Sequence, residues 1–169
     1  SASREGRGEK SLLAIVNPDC LNIAYTHARY HQLLCEAARV LPDGIGLKIG
    51  CRMLGVELAA NVNGTDLFPR LCERAVRDGF SLFLLGARPG VAERVADNMR
   101  ARYPGLVIAG TYAGSPRPEA EAAIVARVCA VAPDVLFVAY GAPAQDKWIA
   151  RNRARLAVPL CLGVGGSFD

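Results

Sequence analysis

Five short apolar runs punctuate the chain: LLAIV at 12–16, FSLFLLG at 80–86, LVIAG at 106–110, VLFVAYG at 135–141 and VPLCLGVGG at 158–166. They are nearly continuous in apolar character instead of alternating, the pattern of strands whose sheet is covered on both faces. Between most of them lie longer segments with apolar positions at helical spacing. The clearest is GVAERVADNMRARYPG, where Val91, Val95 and Met99 fall four apart while Arg94, Asp97, Arg100 and Arg102 fill other faces. Pro104 and Gly105 then stop it. Helical spacing also fits 21–38, 66–78, 118–131 and 143–155.

Strands alternating with helices of this length predict an α/β fold: a Rossmann-like open, mostly parallel sheet flanked by helices. Ligands of such folds bind beyond the carboxyl ends of the strands, in the loops that lead into helices. Those loops are NPD (17–19), PDG (42–44), GARPG (86–90), YGAPAQDKW (140–148) and GGSFD (165–169), and they are expected to line one cleft.

Composition narrows the picture. With 51% apolar and 21% charged residues over 169 positions, residues 11–169 are expected to fold as one domain behind a polar arm at 1–10. The formal charge of +4 comes from 20 Lys and Arg against 16 Asp and Glu, spread along the chain and not gathered in a tract. That is a mild bias toward anionic ligands, without the basic stripe of a nucleic-acid partner. The six cysteines, at 20, 35, 51, 72, 129 and 161, form no C-x-x-C pair, and His27 and His31 are the only histidines. They read as reduced, mostly buried thiols of a cytosolic protein, with Cys35, Cys129 and Cys161 in apolar patterns, and they predict no metal site. No apolar run reaches the roughly 18 residues that a membrane span needs, and no signal peptide is evident.

The candidate chemistry sits in the strand-end loops. A dinucleotide fingerprint would place G-x-G-x-x-G after the first strand, but that strand runs into VNPDCLNIA, and the later GIGLKIG is one residue too long. In LLGARPGVAE a strand ends at Gly86, and Pro89 and Gly90 open a helix, a turn that suits an anion or serves only the backbone. Thr65 stands just ahead of a helical pattern with Asp66 in its first turn, which fits an N-cap as well as a ligand contact. Gln145 and Asp146 occupy the first turn of a helix at a strand end, beside Trp148, which reads as a core anchor with Ile149 and Leu156; Gln145 has no apolar partner to join. Asp43, between Pro42 and Gly44 at the end of a short apolar run, is either a turn former and helix cap or a carboxylate facing the cleft as a general base.

Taken together, LPDGIG, NGTDLFP, FLLGARPGVAE, ARYPGL, GAPAQDKW and GVGGSFD, in this order and at these intervals, closely resemble the WecG/TagA/CpsF family of glycosyltransferases over roughly residues 12–169. The resemblance implies an inverting transferase needing no metal or other cofactor, which moves N-acetylmannosamine or a relative from a UDP-sugar to a polyprenyl-diphosphate-linked acceptor at the cytoplasmic membrane face. It implies Asp43 as the base, Asn17 and Gln145 as sugar contacts, and Asp169 as an acid near the nucleotide. Thr65, Asp66, Gly86 and Asn61 fall in motifs that it assigns to substrate binding. It leaves open a homo-oligomer.

Two positions depart from the family pattern. Many members carry threonine where this chain has Ile15, and arginine where it has Asn61. Family members also continue past the position of Asp169 into a basic tail that helps close the site and meets the membrane. These departures motivate an alternative, a nucleotide-sugar-binding module of the same fold with little or no turnover.

Overall fold

The structure, a computed structural model, describes residues 11–37, 39–58 and 64–168. Six strands, β1 (Ser11–Val16), β2 (Arg39–Pro42), β3 (Ser81–Gly86), β4 (Val107–Tyr112), β5 (Val135–Ala139) and β6 (Leu160–Gly163), form one sheet in the order β2-β1-β6-β5-β3-β4. Every pairing is parallel. Helices α1 (Pro18–Thr26), α2 (Ala28–Glu36), α3 (Ile45–Met53), α4 (Gly64–Asp78), α5 (Val91–Arg102), α6 (Pro118–Val131) and α7 (Ala144–Asn152) fill the connections. The open, parallel α/β architecture expected from the apolar runs is therefore the one observed.

The runs are continuous because both faces of the sheet are covered. Leu82, Leu84, Phe137 and Leu162 pack with Phe68 and Cys72 of α4 and Ala92 and Ala96 of α5. Their neighbours in sequence, Phe83, Leu85, Leu136, Val138 and Cys161, pack with Ile124 and Val128 of α6 and Trp148 and Ile149 of α7. Ala14 and Val16 of β1 meet Cys20 and Ala24 of α1 and Tyr30 and Leu34 of α2. Trp148, Ile149 and Leu156 are fully buried, the core anchor that their spacing predicts. Each such side chain contributes roughly 1.5–3 kcal/mol of burial free energy.

Three local expectations are corrected. The segment RVLP forms a sixth strand, β2, paired with β1 from Leu13↔Arg39 to Val16↔Pro42. The helical span at 21–38 is two helices, broken at an extended His27, where the Thr26 hydroxyl donates back to the carbonyls of Asn22 and Ile23. Cys35 is exposed and Cys51 and Cys129 are half-buried, so only Cys20, Cys72 and Cys161 are core thiols; none of the six is in a disulfide. On α2 the buried stripe is Tyr30 and Leu34, which turns Cys35, the residue after Leu34, outward.

Candidate active site

A cavity of about 360 Å³ opens at the carboxyl ends of β1, β2, β5 and β6. Asn17, Asp19, Asp43, Gln145 and Ser167 give it polar groups, and Ile15, Ile23 and Val164 give it apolar wall. Four of the five strand-end loops expected to share a cleft thus do so. The exception is the GARPG turn: β3 lies beyond β5 in the sheet order, and none of residues 86–90 lines this cavity. Gly86 has a backbone reason for its identity, since a Cβ there would come within 2.8 Å of the Ala139 carbonyl group.

Asn17 caps α1. Its Oδ1 accepts from the Cys20 N–H at 3.0 Å, and Pro18 follows at a position where a missing N–H costs nothing. Capping uses only the carboxamide oxygen; the NH₂ group supplies two further donors. The helix end that Asn17 closes is the positive end of α1, so the cap is also where an anion would be favoured.

Asp43 leaves β2 with its N–H donating to the Val16 carbonyl at 2.8 Å, which extends the β1–β2 pairing to the lip of the cavity. Its side chain is half-buried. The residue at the cap position of α3 is Gly44, one place later, at φ +93°. No atom lies within 4 Å of a Cβ built there, so the need for glycine is conformational and not spatial. Asp43 therefore stands one place ahead of the N-cap of α3.

Gln145, in the first turn of α7, is only 2% exposed yet forms part of the cavity wall. Its Oε1 accepts from the Gly165 N–H at 2.9 Å, which ties the loop after β6 to α7. Room for the carboxamide comes from Gly163, where a Cβ would lie 2.7 Å from Gln145 Nε2 and 2.9 Å from Asp146 Oδ1. On the other side the same loop is held by Phe168, whose ring meets Phe68 of α4 at 5.6 Å; Phe68 also sits edge-on to Phe137 at 4.9 Å.

Behind this wall lies Asp146, which the sequence places in the first turn of a helix without giving it a role. Asp146 is 1% exposed; its Oδ2 accepts from the Tyr30 hydroxyl at 2.9 Å, and its Oδ1 has no hydrogen-bond partner among the described residues. Burial pushes its carboxyl up to about 6, against the smaller opposing effect of the Tyr30 hydrogen bond. The Tyr30 phenol is raised in turn, first by burial and then by the neighbouring carboxylate. An acid in the first turn of a helix reads locally as a dipole charge, and only a partner 116 residues away shows otherwise.

Thr65 and Asp66 lie within the first described turn of α4, so Thr65 is a helical residue and not a cap ahead of the helix. Asn61 and Asp169 fall outside the described residues. The lining of the cavity holds the carboxylates of Asp19 and Asp43 and, among the described residues, no Lys or Arg.

Known proteins share this chain's sequence over most of its length. It is 31% identical over 159 residues to the N-acetylglucosaminyldiphosphoundecaprenol N-acetyl-beta-D-mannosaminyltransferase of Bacillus spizizenii strain W23, covering 94% of this chain and 61% of that protein. Proteins of the same name are 32% identical in Bacillus subtilis strain 168, over 94% of this chain and 61% of the relative, and 31% identical in Staphylococcus aureus strain NCTC 8325, over 93% and 61%. The chain thus spans 61% of the length of these curated relatives. The family model described as glycosyl transferase WecG/TagA/CpsF matches residues 2–169, a span that takes in all four loops of the cavity, and the chain belongs to that family.

Proposed function

We propose that this chain transfers an N-acetylhexosamine-type sugar, N-acetylmannosamine or a relative, from a UDP-sugar to a polyprenyl-diphosphate-linked acceptor, with inversion and without a metal. The observation that carries the reading is the meeting of Asn17, Asp43 and Gln145 in one cavity, in a chain whose relatives are named for mannosaminyl transfer to a diphosphoundecaprenol-linked sugar. Asp43 takes the proton of the acceptor hydroxyl while that oxygen bonds to the anomeric carbon. The bond from that carbon to the diphosphate breaks on the opposite side, and UDP leaves with the electron pair. One base and no protein nucleophile suffice for such a displacement.

Asn17 and Gln145 supply amide groups to the sugar. With no cationic side chain among the described lining residues, the departing diphosphate draws on backbone N–H groups and the positive end of α1. In this reading the acceptor's lipid holds the reaction at a membrane surface, and the face is the cytoplasmic one. The test is incubation with UDP-N-acetylmannosamine and a diphosphate-linked N-acetylglucosamine acceptor carrying a short prenyl chain, with and without EDTA. Release of UDP, a product of inverted anomeric configuration and indifference to EDTA are expected; absence of acceptor-dependent UDP release would refute transfer.

Ile15 in the cavity wall favours a second reading, a module that holds a nucleotide sugar without turning it over. UDP-sugar binding with no UDP release in the same assay would select it.

A further inference from the structure

The helix that follows Asp43 turns two of its apolar side chains outward. On α3, Leu47, Gly50 and Cys51 are half-buried, while Ile49 is 55% and Met53 83% exposed. The helix then stops in an ordered way: Gly55 at φ +71° donates to the Arg52 carbonyl and Val56 to the Cys51 carbonyl at 2.8 Å, the paired bonds of a Schellman motif. That stop presents Leu54, 81% exposed, and Val56, 52% exposed, next to Met53. These four apolar side chains are held at the surface by satisfied backbone, not by fraying.

At 100° per residue, Lys48 and Arg52 fall along one flank of the Ile49–Met53 stripe, and both are exposed. Glu57 is the single acid in 45–58. An apolar stripe edged by cations suits the surface of an anionic bilayer, where the stripe enters the headgroup region and the cations stay at the phosphates. A second copy suits it less, because a two-fold contact sets the same patch against itself and opposes the Lys48 and Arg52 charges. No helix among the described residues is long and apolar enough to cross a membrane, and α3 has nine residues, a length that can lie on a bilayer but not span it.

We propose that the exposed face of α3 and its Schellman turn, Lys48, Ile49, Arg52, Met53, Leu54 and Val56, docks on anionic phospholipid. This contact brings the mouth of the cavity to the membrane, because α3 begins two residues after Asp43 and runs close to α1, where a Cβ built on Gly46 would lie 3.5 Å from Pro18 Cγ. Its purpose rests on the lipid-linked acceptor proposed above.

Sedimentation with vesicles of phosphatidylglycerol and phosphatidylcholine, against phosphatidylcholine alone, tests it. The chain should bind the anionic vesicles at least ten-fold better. Met53→Glu with Leu54→Glu should abolish binding, and Lys48→Gln with Arg52→Gln should weaken it and remove its salt dependence, each with unchanged circular dichroism. Failure of the unaltered chain to sediment, equal sedimentation of the glutamate variant, or a dimer that this variant dissolves without any vesicle binding would each overturn the proposal. The glutamate variant should also keep transfer to a water-soluble short-prenyl acceptor and lose transfer to a vesicle-embedded one. Transfer to neither acceptor by the unaltered chain would refute the transferase reading, while sedimentation still decides the surface.

Discussion

The Tyr30 hydroxyl and the Asp146 carboxylate, joined at 2.9 Å, connect α2 to α7 behind the cavity wall formed by Gly163 and Gln145. The bond satisfies one carboxylate oxygen and leaves the other, Oδ1, without a partner among the described residues. A buried carboxyl in that position is easier to hold neutral than charged.

Stability should therefore depend on pH in a defined window. Burial raises the Asp146 carboxyl from 3.8 to about 6 in the fold, whereas the unfolded chain releases the proton near the lower value. Between those values the folded state binds more protons than the unfolded one, so this contribution is fully present below about 4 and is lost as pH rises through 6. Asp146→Asn, which keeps an oxygen for Tyr30, should flatten that fall, worth on the order of 2–3 kcal/mol. Urea denaturation of both proteins from pH 4 to 7.5 measures the difference, and parallel curves would show that Asp146 ionises freely.

Gln145 should divide into two measurable roles. Gln145→Glu keeps an acceptor for the Gly165 N–H and loses the NH₂ donors, so loop anchoring survives while donor-sugar binding weakens by about 1–3 kcal/mol. Gln145→Ala loses both and should also cost roughly 1–2 kcal/mol of fold stability. Calorimetric titration with a UDP-sugar beside thermal melts checks this; equal binding by Glu and Gln forms would mean that the residue serves the loop alone.

A methyl group at Gly163 should be costly. It would sit 2.7 Å from Gln145 Nε2 and 2.9 Å from Asp146 Oδ1, both in buried side chains, so one of them must shift. Gly163→Ala should destabilise by about 1–3 kcal/mol and weaken UDP-sugar binding together. A melt and a titration on one sample test it, and a variant of native stability would mean that the wall yields.

Much of the fold was legible because continuous apolar runs this short, bounded by turn residues and alternating with helical segments, fit strands covered on both faces better than buried helices. β2 was not, since RVLP is a short, half-exposed edge strand ending in proline, with neither a buried run nor an alternation to mark it. The break at His27 was hidden because apolar spacing continues across it, and the extended backbone of His27 has no signature in that spacing. Within the site, Asp43 was visible from its Pro and Gly neighbours and Gln145 from its lack of an apolar role. Asp146 was placed beside Gln145 in the first turn of a helix but given no role, since its meaning depends on Tyr30, and sheet order, which separates the Gly86 turn from the cavity, leaves no local signature.

The proposed chemistry depends above all on Asp43 acting as the base. Asp43→Asn preserves shape and removes basicity, so acceptor-dependent UDP release should fall by roughly 10² to 10⁴ while the affinity for the UDP-sugar barely changes. Measuring both quantities on the same two proteins gives the most direct test. A large loss of turnover at unchanged donor affinity is the predicted result; an Asn variant that keeps most of its turnover would contradict the proposed mechanism and return Asp43 to a role in the turn.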